Sequence, residues 1–440
     1  MRTIKRIALH IGVFAAAVLL MWVLLMLAVL IPQEKIRDNM LKSAEYYNGR
    51  QPFSLEDGRK LWGVADNFAD TILLNITWNM SGSALDTKYY DGNDGVTDSG
   101  ENWGLYSTVA YGTEPNADYT RYWHGSAMFI RPLLLVTDAE GIKRIGSLAV
   151  LALVIAVCAL LLRDKQYFAA AAFTAGLCLV RSWNIRLALE YIPIFLVTAA
   201  ACLMFVIFEK KGDTWLTVLS VITGAAAAFF DFLTAETLSI LLPLMLVFII
   251  RQQDGRGKTL RENLVLSLKC GIGWGISYVM TFVTKWTLAT VVMGENKFTS
   301  AIRSAETRIS GINGYEMMTH SEQAIYAPLA NLSAMFGGSQ RVDVICIVMG
   351  LTVSAALLGG MFYIFFARTK NGAFTAVMLI LGALPYLRFI LLNNHSYLHS
   401  FFTYRAQAAS VTALLAVIWF NIDLRKYDYD NVKKKAVKRR

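Results

Sequence analysis

Charge is what this sequence has least of. Asp, Glu, Lys and Arg together make up 17% of its 440 residues, against 55% apolar. A soluble domain of this length needs about a quarter of its residues charged, so a soluble fold is excluded. Cysteine is also sparse, at five residues. Cys158, Cys178, Cys202, Cys270 and Cys346 all fall inside apolar runs, and no pair has metal-ligand spacing. Neither a disulfide nor a thiolate metal site is expected. There is no Walker motif, no glycine-rich nucleotide loop and no stretch long enough for a soluble inner domain, so a nucleotide-driven reaction on the inner side has no support. The net charge of +10 is no sign of nucleic acid. Much of the excess sits in the tail 433–440 beside an apolar run, where it reads as an anchor on anionic lipid.

What the sequence does have is repeated apolar runs of about 20 residues, long enough to cross roughly 30 Å of hydrocarbon. The expected fold is an all-α polytopic membrane protein with about ten transmembrane helices. Residues 1–31 read as a signal anchor, 32–144 as a large first extracytoplasmic loop with interfacial helices, 145–420 as a multi-span domain and 421–440 as a basic cytoplasmic tail. After the first span, the others are expected near 145–162, 167–181, 187–208, 214–230, 238–250, 263–293, 343–367, 373–392 and 401–420. The connections 163–165, 209–211, 251–261 and 368–370 and the tail are basic and alternate with the rest. The positive-inside rule then puts both termini in the cytoplasm of a cell that carries the protein in its plasma membrane.

That topology sends the suspicious polar residues to the outer face. Asp66 and Asp70 are four apart, so on a helix both carboxylates share a face. The alternative is an ordinary acid-rich helix N-terminus, which the helix dipole favours. Asp231 and Glu236 stand at the mouth of one helix pair, and Arg181, Arg186 and Glu190 flank another. Arg388 lies in the last turn of the ninth span, and Tyr404 and Arg405 begin the tenth. A guanidinium at membrane depth needs an anion, either a lipid phosphate that suits its fork or an internal partner such as Asp231 or Glu236. His395 and His399 are four apart and would share a helical face, but no acid stands beside them, so no metal or other cofactor is assigned. His124 is either a packed loop histidine or a phosphate donor, and Arg131 follows it in a stretch too short to span. The turn-rich loop 89–95 is either a calcium loop or a solvated one.

The layout resembles the GT-C class of integral-membrane glycosyltransferases. Asp66-Asn67-Phe68-Ala69-Asp70, Arg121-Tyr122-Trp123-His124-Gly125, Phe230-Asp231-Phe232-Leu233-Thr234 and Asn394-His395-Ser396-Tyr397-Leu398-His399 with Phe402-Thr403-Tyr404-Arg405 are similar to segments of bacterial membrane proteins assigned to that class. The resemblance implies a polyprenyl-phosphate sugar donor held among membrane lipids, a glycan or lipid acceptor, and a first-loop carboxylate as base. Asp66 and Asp70 both match that position. A helix dipole would weaken Asp66 as a base and desolvation would strengthen Asp70, while the Asp-Asn context favours Asp66. His124, Arg131, Asp231, Glu236, Arg388, His395, His399, Tyr404 and Arg405 are the expected substrate contacts. The rival reading is a lipid or polysaccharide transporter or flippase without catalysis. Inverted repeats and broken helices in two matching halves would signal it, and the sequence shows no such repeat.

Overall fold

Apolar runs become helices along nearly the whole chain, and polar side chains cap the N-terminal ends of several of them. The computed structural model describes residues 2–56, 58–96, 99–310, 318–368 and 371–421, and the basic tail lies outside them. Helix α1 (Arg2–Val29) ends just before Pro32, which stands at the N-cap of α2 (Gln33–Asn48). Strands β1 (Phe53–Leu55) and β2 (Val64–Asp66) pair antiparallel, with Phe53 opposite Asp66, and lead into α3 (Asn67–Asn79). A second small ribbon, β3 (Lys88–Tyr89) with β4 (Ala117–Asp118), brackets α4 (Gly100–Tyr111), and α5 (Ala127–Leu133) follows.

The helices of the bundle then come in quick succession. They are α6 (Ala139–Arg163), α7 (Tyr167–Leu179), α8 (Ile192–Phe208), α9 (Asp213–Phe230), α10 (Leu238–Gln253) and α11 (Leu260–Met293). A lateral pair, α12 (Phe298–Ser310) and α13 (His320–Phe336), precedes α14 (Val344–Arg368) and α15 (Gly372–Leu391). Two short helices, α16 (Asn393–Leu398) and α17 (Ser400–Thr403), lead to α18 (Ala408–Asn421). Seven segments, in α1, α6, α8, α9, α11, α15 and α18, are long and apolar enough to cross a membrane. The chain is therefore membrane-embedded. Helices α7 and α10 and the segment Val344–Gly360 of α14 are apolar but shorter. Helix α10 is buried on every side from Leu238 to Arg251, which explains a sequence that is apolar all round. Helices α9 and α11 cross closely at Gly224, where a Cβ would fall 2.2 Å from the Trp274 carbonyl oxygen.

Hydrogen bonds sort the connections to two ends of the bundle. Gln166 bonds Asp254 at 2.6 Å, Arg251 bonds Glu209 at 2.9 Å, and Gln252 bonds Asn371 at 2.9 Å. His10, near the start of α1, meets Thr217 at 3.0 Å. The basic connections between described helices thus gather at the end that holds the N-terminus. Residues 32–138 cover the other end as a helical layer. In its core, Leu73, Leu74 and Trp78 of α3 pack against Ile36, Met40 and Tyr47 of α2 and Leu105 and Val109 of α4. The opposite side of α3 sets Ile72 and Ile76 against Trp123, Leu25 and Phe229, which ties the layer to the bundle.

Helix α6, which holds the span expected near 145–162, begins at Ala139, where Asp138 caps it by accepting from the Gly141 N–H at 3.0 Å. Lys143, buried against Glu140 and 3.7 Å from Asp70, hides that first turn from an apolar-run reading. One expectation needs correcting here: Arg131, expected at the substrate, is instead buried in the frame. Its Nη1 donates to the carbonyls of Thr77 (2.7 Å) and Met80 (2.9 Å), and its Nε and Nη2 donate to Ile31 (3.0 and 2.8 Å). One guanidinium therefore satisfies the chain just past α1 and the C-terminal end of α3, carbonyls that helices leave without partners.

Replacing Arg131 with Met strands these carbonyls in the interior. The expected loss is on the order of 3 kcal/mol, read as a lowered unfolding temperature of the purified protein in detergent. An unchanged unfolding temperature would show that the guanidinium does not hold the layer together.

Candidate functional site

Strand β2 delivers Asp66 to the N-cap of α3, where its Oδ1 accepts from the Ala69 N–H at 2.9 Å. Asp70 lies one turn further on, and the two carboxylates part company. Asp70 is fully buried, with Oδ2 accepting from the Tyr47 hydroxyl at 2.7 Å and Oδ1 from the Leu189 N–H at 2.6 Å. Burial lifts its pKa to about 6 against the opposing pull of the Lys143 charge, the Tyr47 hydroxyl and the Leu189 N–H. Both oxygens of Asp70 are engaged, so it ties the two layers together. The Leu189 bond presents the next residue, Glu190, to Asp66. Both carboxyl groups are buried and line one cleft. Two buried carboxyl groups in one cleft disfavour each other's ionisation. Burial raises the Asp66 pKa, and the Asp70 charge adds to it, while the Ala69 N–H and the Glu190 bond oppose.

Asp66 and Glu190 line a cleft of about 100 Å³ together with His124, Arg308, His395 and His399. Phe53, Phe68, Phe232 and Phe402 supply apolar walls. Arg308 comes from α12, and its Nη1 donates to Nδ1 of His395 at 2.8 Å. The Nε2 of His395 donates to the Leu233 carbonyl at 3.0 Å, a partner that fixes the neutral Nε2–H tautomer. Leu233 holds φ 67°, a left-handed backbone that aims this carbonyl inward. Burial, then the neighbouring His399, Arg308 and Arg388, keeps His395 well below the ordinary imidazole range. His399 lies with its ring 4.7 Å from that of His395, stacks on Phe402 at 5.1 Å, and is lowered by burial to about 3. His124 has φ 53° and bonds the Tyr119 carbonyl through Nε2 at 3.1 Å. Burial lowers it to about 3 as well. Beside it, Gly125 admits the Phe229 carbonyl oxygen to 2.5 Å from where a Cβ would stand, so no side chain fits.

The other expected contacts lie elsewhere. Arg388 makes a two-pronged pair with Glu236, at 2.9 and 3.1 Å, and also bonds the Leu233 carbonyl at 2.6 Å and Ser396 at 2.9 Å. It takes the internal partner rather than facing the cleft. Asp231 accepts from the backbone N–H and hydroxyl of Thr234, and burial with the nearby Glu236 lifts it to about 7. Arg405 is buried with its guanidinium carbon 4.4 Å from the Tyr191 ring and 5.1 Å from that of Tyr404. Neither its nitrogens nor the Tyr404 hydroxyl has a hydrogen-bond partner among the described residues. Asp66, His124, His395 and His399 are thus brought together, and Asp70, Asp231, Glu236, Arg388, Tyr404 and Arg405 are packed behind them. Arg308 was not anticipated, since one arginine on a short amphipathic helix carries no motif.

In the loop 89–95, Asp91, Asn93 and Asp94 accept from backbone N–H groups two residues on, as solvated turns do. Among the described residues no group of three or more His, Cys, Asp or Glu is arranged to hold a metal. No protein-family model, curated protein or solved structure matches this chain. The chemistry is therefore read from the cleft itself, which sets two buried acids opposite a cation and three imidazoles.

Asn substitutions should separate the two first-loop aspartates. Asn caps a helix as well as Asp does, so Asp66→Asn leaves the unfolding temperature nearly unchanged. Asp70→Asn leaves Lys143 short of its buried partner and lowers stability by on the order of 3 kcal/mol. Equal thermal losses would contradict the division of roles. A pH series tests the turn at Asp231. Its folded pKa of about 7 exceeds the ordinary 3.8, so the folded state keeps a proton that the unfolded chain gives up. Its contribution is complete below pH 3.8 and drains away as pH rises to about 7. Thermal unfolding of Asp231→Asn across that interval should show a flatter pH slope than the parent, and an identical slope would refute the assignment.

Proposed function

We propose that this chain is a membrane glycosyltransferase of GT-C-like design, moving a sugar from a polyprenyl-phosphate donor to a hydroxyl of a glycan or lipid outside the cell. The observation that carries the reading is the meeting of the Asp66–Glu190 pair with Arg308 across one cleft at the loop-covered end of the bundle. A lipid-phosphate sugar is already activated, so the enzyme needs a base for the acceptor hydroxyl, a cation for the departing phosphate and a fixed alignment. Asp66, with its pKa raised toward neutrality, suits the base. Arg308, whose Nε has no partner among the described residues, suits the phosphate, with His395 holding its fork in orientation. The neutral imidazoles of His124 and His399 are too weakly basic to compete for the proton and serve as hydrogen-bond partners of the sugar.

The cleft has room for only a handful of waters, so donor entry requires α12, which rests on α16 and the end of α11, to move outward. In the same proposal the three shorter apolar helices complete ten spans in the plasma membrane. Both termini are then cytoplasmic, since the alternating basic connections share one end.

The test is transfer of labelled sugar from a polyprenyl-phosphate donor by the purified protein in detergent. Asp66→Asn should lower turnover about 10²–10⁴-fold while donor binding persists. Arg308→Ala should lose donor binding, with Lys rescuing poorly because it lacks the fork. Near-normal turnover in Asp66→Asn would end the reading.

A further inference from the structure

At the end of the bundle opposite the cleft, α1 and α11 both lean on α9 but scarcely touch each other. Between them runs a groove of about 1360 Å³ with α9 as its floor. Ile11 and Phe14 of α1 and Ile276 and Met280 of α11 line its apolar length. Its mouth is strongly basic. Six cations line the groove, Arg6, Lys210, Arg251, Arg256, Lys258 and Lys269, against two carboxylates, Glu209 and Asp213. Those carboxylates are already taken. Glu209 is held by Arg251 and Arg256, and Asp213 by Arg251 at 2.8 Å and Lys258 at 3.0 Å. Arg251 is 4% exposed, and its Nη1 is buried with no hydrogen-bond partner among the described residues. A buried guanidinium nitrogen left open beside surplus positive charge is a site short of an anion.

We infer that this groove binds an anionic phospholipid. Its phosphate is held at the mouth by Arg251, Arg6 and Lys269, and one acyl chain lies along the apolar wall between α1 and α11. The shape and charge follow from separate features of the sequence. The apolar faces of α1 and α11 stand apart on either side of α9, and the cations come from α1, the last turn of α10, α11 and two connections, those after α8 and α10, that the fold gathers at one end. A zwitterionic lipid fills the same apolar volume but adds its own ammonium charge to a mouth that already has an excess of cations. A free phosphate lacks the chain that the apolar wall accommodates. The lipid stands where α1 has no other lateral neighbour on its α11 side, so it acts as the missing packing partner of the first helix.

The experiment delipidates the full-length protein in detergent and titrates it with dioleoyl phosphatidylglycerol, dioleoyl phosphatidylcholine or inorganic phosphate, reading bound lipid by native mass spectrometry and the unfolding temperature. Phosphatidylglycerol should be retained and should raise the unfolding temperature, and the other two should not. Removing charge in Arg6→Gln/Lys269→Gln should cut phosphatidylglycerol retention by about fivefold per charge. Ile276→Trp, an exposed position on the wall, keeps every charge and fills the channel, so it should reduce retention without altering the salt dependence of what remains. Equal retention of both lipids by the parent, or undiminished phosphatidylglycerol retention in both variants, overturns the inference.

Discussion

The hydrogen bond from the Leu189 N–H to Asp70 is the constraint on which the site depends. It is a buried contact between the outer layer and the turn just before α8, 2.6 Å long, with Tyr47 and Lys143 completing the shell of the carboxylate. Its effect is positional. Fixing Leu189 against the first full turn of α3 sets the next residue, Glu190, in the cleft that Asp66 also lines. Two acids from segments more than a hundred residues apart thereby line one cleft. Asp70 looks like half of a catalytic pair when read along the chain, yet its work is to assemble a different pair.

A second organising point is the Leu233 carbonyl. It accepts from Arg388 and from His395 at once, and a left-handed residue holds it inward. Through it the buried ion pair of Arg388 and Glu236 and the imidazole that steadies Arg308 are parts of one network. The cation that faces the cleft is therefore oriented by groups on α15, α16 and the 231–237 turn together.

How much of this could be read from the chain differs by scale. Membrane residence, the order of the apolar helices and the gathering of basic connections at one end follow from run length and charge alone, because hydrocarbon imposes those constraints locally. The aspartates at 66 and 70 and the histidines at 395 and 399 stood out because polar residues are rare in so apolar a sequence. Their roles were not legible. Helical spacing put Asp66 and Asp70 on one face, but Asp66 is the cap and lies before the helix proper, so spacing does not apply to it. Arg131 and Arg388 carry the same charge signal as a substrate arginine, and only the carbonyls and carboxylate around them reveal a structural role. Arg308 gave no signal, since nothing local distinguishes an arginine that will meet a histidine 87 residues away.

Helix α11 is 34 residues long, a length of about 51 Å, well beyond the roughly 30 Å of a hydrocarbon core. Its final turns stand inside the outer layer, where Lys285 bonds the Leu85 carbonyl at 2.7 Å and Trp286 bonds that of Arg121 at 2.9 Å. In mechanical terms it is a pillar that passes unbroken from the bundle into the roof. A layer joined to a bundle only by loops can rock on it, but one threaded by a continuous helix resists bending. The roof and the bundle end that enclose the acids are thus joined through one unbroken helix, and the segment carrying Arg308 follows its tip and is tied back to α16.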